Sequence, residues 1–418
     1  MQATATTSTT TLPPCRLCGT GLRRTFVDLG MSPLCESFLD AEQLNRMEPF
    51  YPLHVRICEE CLLVQLETYV AAEEIFGGDY AYFSAYSDSW VEHARVYSER
   101  MIERLELSDR SLVVELASND GYLLQHFVRR GIPSLGIDPA RNVAAAARER
   151  GVETLVEFFG ADVAERLAEE RGAADLVVAN NVLAHVPDVN DFVDGIRRLL
   201  ADGGVATIEV PHLVRLIEGM QFDTIYHEHY SYFSFHTLVR LFAEHSLQVF
   251  DVEELPSHGG SLRVYVRHPR GERSESVEAL LAREREAGYD SLEGYEGFGE
   301  QVAELKRKLL ELLFALRRDG KQIAGYGAPG KGNTLLNYCG IRTDLLDYTV
   351  DRNPGKHGTF LPGTHIPIHP PERIAETRPD YVLILPWNLK REIAAQLEYV
   401  REWGGRLVVP IPEPEVLP

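Results

Sequence analysis

The sequence of 418 residues has no run of about 18 consecutive apolar residues, which argues against a membrane-spanning helix. Basic side chains are also scarce: 42 lysines and arginines stand against 63 aspartates and glutamates, so the formal net charge is −21. That charge argues against nucleic acid as a partner but leaves room for a local basic pocket. Residues 1–14 lack the basic and apolar regions of a signal peptide, so we expect a disordered tail on a cytoplasmic protein with no membrane partner.

Cysteine is scarce too, because six cysteines are too few for a disulfide scaffold in a chain of this length. Four of the six form two C-x-x-C pairs, Cys15 with Cys18 and Cys58 with Cys61. This spacing lets both sulfurs of a pair reach one tetrahedral ion, so it predicts a structural zinc site in a small N-terminal unit. The alternatives are a redox pair or four unlinked buried cysteines. Catalytic zinc is disfavoured because four thiolates leave no open position.

A strand, a turn, a helix and a second strand follow from residue 111. The apolar run 112–116 predicts a buried strand, apolar residues then recur at helical spacing until Gly131, and the next short strand ends at Asp138. This order predicts a doubly wound α/β domain whose ligand lies beyond the carboxyl ends of the strands. Glu115 and Asp138 fit a nucleoside cofactor at that edge. A turn carboxylate and a helix cap are the respective alternatives.

Residues 175–213 add a strand, a loop with His185, a helix, an Asp-Gly-Gly turn and another strand. This run resembles the class I S-adenosylmethionine methyltransferases, which have a Rossmann-like α/β fold, and the resemblance implies S-adenosylmethionine as the cofactor. The signature departs from the family form because Ala117 and Asn119 stand where glycines are common. Alanine is small and asparagine tolerates positive φ, so the turn remains feasible. The implied cofactor-binding residues are Glu115, Ala117, Asn119, Gly121, Asp138 and Asn180.

The segment 221–238, QFDTIYHEHYSYFSFHTL, concentrates histidine, tyrosine and glutamate. A core segment has no reason to carry so many proton-transfer groups, so the segment predicts deprotonation of a substrate. A metal site is the alternative, because His227 and His229 would share one face of an extended chain. H-E-H lacks the i, i+4 spacing of zinc-binding helices, which makes that alternative the weaker one.

Five blocks occur in a fixed order: the two cysteine pairs, ELASNDG, YHEHYSYFS, HGGSLRVY and GYGAPGKGNTLLN. Together they resemble, over nearly the whole chain, the thymidine-diphosphate-sugar 3-C-methyltransferases that act on 4-keto-deoxyhexoses. The resemblance implies an N-terminal zinc-binding unit, a methyltransferase core and a Rossmann-like C-terminal unit. It also implies a general base, His229, and the active-site partners Tyr226, Glu228, His185 and Tyr80.

The last part of the chain begins with residues 271–318, where leucines recur among charged residues at the spacing of long amphipathic helices. The G-Y-G-A-P-G turn that follows indicates, taken alone, a dinucleotide site. We instead expect the diphosphate of a sugar substrate there, because a helix N-terminus and basic side chains can hold it against the global negative charge. A Rossmann-like platform without a ligand is the alternative. The candidate substrate-binding residues are Lys331 and Asn333 and, more weakly, Arg263, Ser261, Lys356 and His357.

The sequence therefore predicts a methyltransferase that moves a methyl group to C3 of a thymidine-diphosphate-linked 4-keto-deoxyhexose through an enolate, for a glycosylated natural product. Methylation at C5 and a catalytically silent zinc-stabilised scaffold are the alternatives. We expect a monomer without a nucleic-acid partner. Its predicted parts are a tail (1–14), a zinc-binding domain (15–75), a methyltransferase domain (76–266) and a helical linker with a Rossmann-like substrate-binding domain (267–418).

Overall fold

Three β-sheets organise the part of the chain that the computed structural model describes, residues 12–76, 83–86 and 88–417. The first sheet contains an antiparallel meander of β1 (Arg24–Ser32), β2 (Tyr51–Ile57) and β3 (Val64–Leu66). Side chains along β2 alternate between buried and partly exposed, as expected for a strand with one face in a core. One C-x-x-C pair precedes β1 and the other joins β2 to β3, so folding of this sheet brings the pairs together.

The middle of the chain contains eight strands and eight helices within the described ranges. The strands are β4 (Val113–Leu116), β5 (Ser134–Ile137), β6 (Thr154–Leu155), β7 (Ala174–Asn180), β8 (Leu200–Pro211), β9 (Ser231–Tyr232), β10 (Gln248–Leu255) and β11 (Ser261–Arg267). The helices are α1 (Ala72–Phe76), α2 (Asp88–Arg104), α3 (Leu124–Val128), α4 (Arg141–Glu149), α5 (Ala161–Arg171), α6 (Val189–Leu199), α7 (Leu213–Glu218) and α8 (Phe235–Glu244).

Seven of these strands form the second sheet, in the order β10-β11-β8-β7-β4-β5-β6. Strands β4 to β8 pair in parallel, whereas β10 and β11 form an antiparallel end. All four residues of β4 are buried, as a strand covered on both faces requires. The predicted doubly wound α/β domain is confirmed. Its carboxyl edge, where β4, β5 and β7 end, is the edge at which such sheets bind ligands.

The last third of the chain begins with the two amphipathic helices that the leucine spacing predicts, α9 (Glu275–Glu286) and α10 (Phe298–Arg318). The third sheet follows and has the order β14-β13-β12-β15-β16-β17, parallel except for its last pair. Its strands are β12 (Ile323–Tyr326), β13 (Thr349–Val350), β14 (Ile368–His369), β15 (Tyr381–Ile384), β16 (Arg406–Val409) and β17 (Glu415–Val416). Its helices are α11 (Gly330–Cys339), α12 (Arg373–Thr377) and α13 (Lys390–Gln396).

Each sheet with its helices is called a unit, numbered first to third in chain order, and the three units share their cores. Phe26 of β1 stacks on Phe298 of α10 with ring centroids 4.7 Å apart, and the apolar residues of the first and third sheets belong to one buried cluster. Strand β9, from the middle of the chain, pairs with β3 and completes the first sheet. Among the described residues, no helix has both the length and the apolar character needed to cross a bilayer.

Candidate active site and metal centre

The four cysteines of the two C-x-x-C pairs lie in one cluster. Their sulfurs are all within 4.8 Å of one another, and two of the separations, Cys15 to Cys61 and Cys18 to Cys58, are 3.5 Å. Tetrahedral zinc with Zn–S bonds of about 2.3 Å holds its sulfurs about 3.8 Å apart. All four are free thiols, so the donor set fits a structural zinc ion with no position left for a substrate.

The surroundings of the cluster favour a bound cation. Hydrogen bonds from Cys58 and Cys61 lower the pKa of the Cys15 thiol, whereas the interaction with Cys15 raises the pKa of Cys58 to about 11. The Gln65 side chain donates from Nε2 to Cys15 Sγ at 3.1 Å. Such an outer donor orients a thiolate ligand, as is usual around metal sites.

The glycine-rich turn after β4 adopts the predicted conformation without the missing glycines. Ala117 and Asn119 have φ values of +54° and +49°, and Gly121 has +77°. A side chain at Gly121 would bring its Cβ within 3.0 Å of Val152 Cγ2 and 3.2 Å of Ala147 Cβ. The two substitutions are therefore tolerated in the left-handed region, and the remaining glycine stands where the turn meets its neighbours.

Polar atoms without partners collect at the carboxyl edge of the second sheet. Five buried oxygens have no hydrogen-bond partner among the described residues: Glu115 Oε2, Ser118 Oγ, Asp120 Oδ1, Asn180 Oδ1 and Asn181 Oδ1. Buried polar groups are normally satisfied, so such a group of atoms is explained by a polar ligand. Burial, together with the nearby Asp138, raises the pKa of Glu115 well above its ordinary value. This edge fits the amino-acid and ribose groups of S-adenosylmethionine.

Asp138 is already used in part by the protein itself. Its Oδ2 accepts a hydrogen bond from the backbone N–H of Asn119, and its Oδ1 accepts one from that of Ala140, each at 2.9 Å. A carboxylate has four lone-pair sites, so two remain for ribose hydroxyls. The turn and the candidate ribose ligand are thus held by the same side chain.

The histidine-tyrosine segment connects all three units. Tyr232 pairs with Val64 in the first sheet, and the backbone N–H of Tyr230 donates to Ala184 O of the second unit at 2.8 Å. In the third unit, Thr334 Oγ1 donates to Ile225 O at 3.0 Å. Residues of this segment therefore lie where the units meet.

The segment is not extended at its histidines. The N–H of His229 donates to Tyr226 O at 2.9 Å, which closes a turn through His227 and Glu228. His227 is buried and its Nε2 donates to Pro52 O at 3.2 Å, whereas the His229 Nδ1 donates to Thr224 O at 2.8 Å. The two imidazoles have different neighbours, so the alternative of a metal on one extended face is wrong.

His185 and His229 form a close pair. Their ring centroids are 4.6 Å apart, and the Tyr226 ring lies 4.0 Å from that of His229. His185 Nδ1 donates to Glu228 O at 2.9 Å, so in both histidines the carbonyl partner fixes the proton on Nδ1 and leaves the Nε2 lone pair available. Burial lowers the pKa of His185 to about 4, and burial with the neighbouring His185 lowers the pKa of His229 well below its ordinary value.

Glu228 lies on the other side of the same turn, against the N-terminal unit. Its Oε1 is 3.6 Å from the Sγ of Cys35, whose thiol is buried. Burial and the nearby Glu36 carboxylate raise the pKa of Glu228 to about 7. Near neutral pH this carboxyl group is therefore protonated in part of the molecules and can donate a hydrogen bond.

Lys331 extends from the third unit toward the histidines. Its Nζ donates to Asn388 Oδ1 at 3.0 Å and lies 5.1 Å from the centroid of the Trp387 ring, whose Nε1 donates to Asp223 Oδ2 at 2.7 Å. Burial lowers the pKa of Lys331, while Asp223 opposes that change. The positive charge of Lys331 in turn contributes to the lowered pKa of His229. The structure thus brings Lys331 and the histidine pair into one electrostatic neighbourhood.

The glycine-rich turn of the third unit is occupied by side chains of the protein. The Glu36 carboxylate accepts a hydrogen bond from the N–H of Gly330, and Asp351 Oδ2 accepts one from that of Ala328 at 2.7 Å. Lys356 Nζ donates to Ala328 O at 2.9 Å and lies 3.6 Å from a Glu36 oxygen. A pyrophosphate at this helix N-terminus would have to displace two carboxylates. This arrangement disfavours both the dinucleotide alternative and the predicted diphosphate position at that terminus.

Three of the predicted substrate-binding side chains are buried in the protein interior. Arg263 is 2% exposed, and its Nη2 donates to Glu209 Oε2 at 2.7 Å. Ser261 Oγ donates to Ser257 O at 3.0 Å, and Asn333 is 1% exposed. Contrary to the sequence-based expectation, internal partners occupy Arg263 and Ser261, whereas Asn333 Nδ2 has no hydrogen-bond partner among the described residues and Asn333 stays a candidate.

Sequence reasoning missed His258. Its backbone has a φ of +52° between Pro256 and two glycines, its ring lies 5.2 Å from the Trp90 ring, and its side chain is exposed. Packing of the surrounding protein and, after it, the charge of Lys331 lower its pKa. The available sequence signal was the H-G-G motif, in which two glycines follow the histidine. The positive φ of His258 adds a structural sign, because backbone strain of this kind persists mainly at functional sites. Tyr80, a predicted partner, lies outside the described residues.

Three families match successive parts of the chain. Residues 15–76 match the family described as "Putative zinc binding domain", residues 90–252 match "Methyltransferase domain", and residues 256–412 match "C-methyltransferase C-terminal domain". The cysteine cluster, the carboxyl edge of the second sheet and Lys331 each fall within one of the three matches.

Individual relatives agree with these families. The C-methyltransferase NovU of Streptomyces niveus is 39% identical over 405 residues, which cover 96% of each chain. The ubiquinone biosynthesis O-methyltransferase of Bordetella avium is 32% identical over 94 residues, covering 22% of this chain and 39% of the relative. Among solved structures, the 1,6-didemethyltoxoflavin-N1-methyltransferase of Burkholderia thailandensis aligns with a TM-score of 0.35 at 18% identity, covering 50% of this chain and 95% of that one. The chain therefore belongs to the S-adenosylmethionine-dependent C-methyltransferases, the family that includes NovU.

Proposed function

We propose that the protein transfers a methyl group to C3 of a thymidine-diphosphate-linked 4-keto-deoxyhexose through an enolate, in the biosynthesis of a glycosylated natural product. The observation that carries the proposal is the His185–His229 pair, 4.6 Å apart, with both Nδ1 atoms bonded to carbonyls. C3 and C5 both lie next to the ketone, so methylation at C5 is the second candidate. S-adenosylmethionine supplies the methyl group, and the edge formed by Glu115, Asp138 and Asn180 would hold it.

His229 is the proposed base. Its Nδ1–H is held by Thr224 O at 2.8 Å, so Nε2 presents a lone pair, and the lowered pKa keeps the ring neutral at pH 7. A carbon beside a ketone is acidified because its carbanion delocalises onto oxygen, and a base within hydrogen-bond reach can then remove the proton. A neutral imidazole with a fixed tautomer meets this requirement.

The surroundings of His229 make it a weak base. Burial is the largest cause of its lowered pKa, the neighbouring His185 and His258 follow, and the positive charge of Lys331 adds the smallest part. An anionic diphosphate beside Lys331 would offset that positive charge and so raise the pKa of His229 in part. Substrate binding would thus activate the base, and a sugar without a diphosphate would be turned over slowly.

The enolate oxygen needs a donor. Tyr226 lies against His229, with the two ring centroids 4.0 Å apart. Donors aimed at developing negative charge stabilise it strongly where water is excluded. Tyr226 is therefore the proposed enolate-binding group, with His185 as the second imidazole of the site, whereas Glu228, which faces Cys35 on the other side of the turn, would act by holding that turn.

The test supplies methyl-labelled S-adenosylmethionine with a panel of nucleotide-linked 4-keto sugars, and NMR locates the label. We expect label at C3. Label at C5 would select the second candidate, and no transfer to any sugar would favour the silent scaffold.

His229→Asn should abolish both methylation and solvent deuterium exchange at the methylated carbon. The matched control is His268→Asn, which should leave both rates unchanged. His268 donates to Leu200 O at 3.1 Å, and this bond lies at the edge of the sheet opposite to the ligand edge. Full turnover in His229→Asn would refute the assignment of the base.

A further inference from the structure

We infer that Arg16, which lies between the two cysteines of the first C-x-x-C pair, positions the loop that carries His185. Its Nη1 donates to Pro187 O at 2.6 Å, and its Nη2 donates to Leu66 O at 2.5 Å. One guanidinium group therefore joins the loop after β7 to the end of β3. The planar, two-pronged donor makes this bridge in a fixed geometry.

Contacts of the cysteine cluster fix the position of Arg16. The N–H of Arg16 donates to Gln65 Oε1 at 2.9 Å, while Gln65 Nε2 donates to Cys15 Sγ at 3.1 Å. From the second unit, Asn190 Nδ2 donates to Arg16 O at 2.9 Å and to Leu17 O at 3.0 Å. The backbone of the first cysteine pair is thus bonded on one side to the sheet that carries the ligands and on the other to the start of α6.

The loop transmits this position to the imidazole. Pro187 follows His185 by two residues, Ala184 O accepts from the N–H of Tyr230 at 2.8 Å, and His185 Nδ1 donates to Glu228 O at 2.9 Å. Arg16 itself lies 5.3 Å from the centroid of the Tyr230 ring. The loop is therefore fixed between Arg16 and the turn that bears the proposed base. Without the bond at Pro187 O, the loop loses its attachment through Arg16.

The test uses full-length, zinc-loaded protein with Arg16→Lys and Arg16→Met. Lysine keeps the positive charge but can donate to one of the two carbonyls instead of both. We expect the lysine variant to fold even if the methionine variant does not, so the test can still be carried out. The control is Arg23→Met, which removes an exposed arginine from the same unit. We expect zinc content, affinity for S-adenosylmethionine and KM for the sugar nucleotide to stay within about twofold. We expect kcat to fall on the order of 10-fold in Arg16→Lys and more in Arg16→Met, because small displacements of reacting groups cost about 10²-fold.

A second readout does not depend on turnover. The ring resonances of His185, identified in 13C-histidine-labelled protein by their loss in His185→Asn, should shift in both Arg16 variants and not in Arg23→Met. The inference rests on the proposed role of the His185–His229 pair, but the ring shifts test it even if no sugar is methylated. Unchanged His185 resonances with wild-type kcat would overturn the inference, and so would loss of zinc as the main effect.

Discussion

Replacing Arg263 with methionine should destabilise the protein by about 3 kcal/mol without weakening substrate binding. The guanidinium is almost wholly buried, donates to Glu209 Oε2 at 2.7 Å and lies 4.6 Å from the centroid of the Tyr97 ring. Methionine keeps the apolar stem, and among the described residues it leaves the Glu209 carboxylate with His93, at 3.2 Å, and Ser257, at 2.7 Å. Removing one partner of a buried ion pair costs about 3–5 kcal/mol, because the other charge stays buried.

The ionisation of Glu209 gives a magnitude of the same size. Burial opposes its ionisation, but the hydrogen bond from His93 and the charge of Arg263 prevail and lower its pKa from 4.5 to about 2. At about 1.4 kcal/mol per pKa unit this corresponds to about 3 kcal/mol, of which Arg263 supplies part. A carboxyl group with a lowered folded-state pKa stabilises the protein above pH 4.5, and this contribution is lost as the pH falls toward 2. The stability difference between wild type and variant should therefore be complete at pH 7.

Urea unfolding at pH 7, followed by circular dichroism, measures the loss, and initial rates measure KM for the sugar nucleotide. Arg283→Met is the control, because Arg283 makes a comparable bond to Glu254 on the surface, and exposed pairs contribute about 1 kcal/mol or less. The double variant Arg263→Met, Glu209→Gln should recover part of the stability. Wild-type stability with a tenfold higher KM would refute the reasoning and return Arg263 to the substrate.

Two further predictions concern the metal centre and the cofactor turn. Cys58→Ser should lower zinc content below one ion per chain and lower the melting temperature, whereas Cys339→Ser, outside the cluster, should keep its zinc; equal metal content in both would contradict a four-cysteine site. Ala117→Gly should raise the free energy of unfolding in urea by about 0.5–1 kcal/mol. The change removes the backbone strain of alanine at φ +54°, and this gain exceeds the cost of the higher conformational entropy that glycine gives to the unfolded chain. Destabilisation by more than about 1 kcal/mol would contradict the left-handed conformation of Ala117.

The parts that sequence reasoning predicted well are those with local causes. The strand at 112–116, the helix beginning at Val189 and the positive φ of Asn119 depend on residues close in the chain, and the structure has them. The metal ligands could also be predicted from the sequence, because the C-x-x-C spacing is what lets two sulfurs bind one ion. Local patterns therefore gave the second sheet, its ligand edge and the metal ligands.

The parts that it missed depend on contacts between distant segments. Nothing near Arg263 in the sequence indicates that Glu209 neutralises it, and nothing near Gly330 indicates that Glu36 caps it. A basic residue in a promising motif looks the same whether it faces a ligand or a buried carboxylate. The pairing of β9 with β3 and the turn at 226–229, which gives His227 and His229 separate environments, likewise depend on contacts between distant segments.

The charge of the chain makes this assembly matter for the substrate. Of three basic side chains expected to draw a diphosphate to a protein of net charge −21, Arg263 is bonded to Glu209 and Lys356 lies 3.6 Å from Glu36. Lys331 is left, because its Nζ is bonded to the neutral amide oxygen of Asn388 rather than to a carboxylate. The same lysine lowers the pKa of His229, which lies on a different unit. Attraction of the anion and control of the base would then be one electrostatic effect, and it exists only where the units meet.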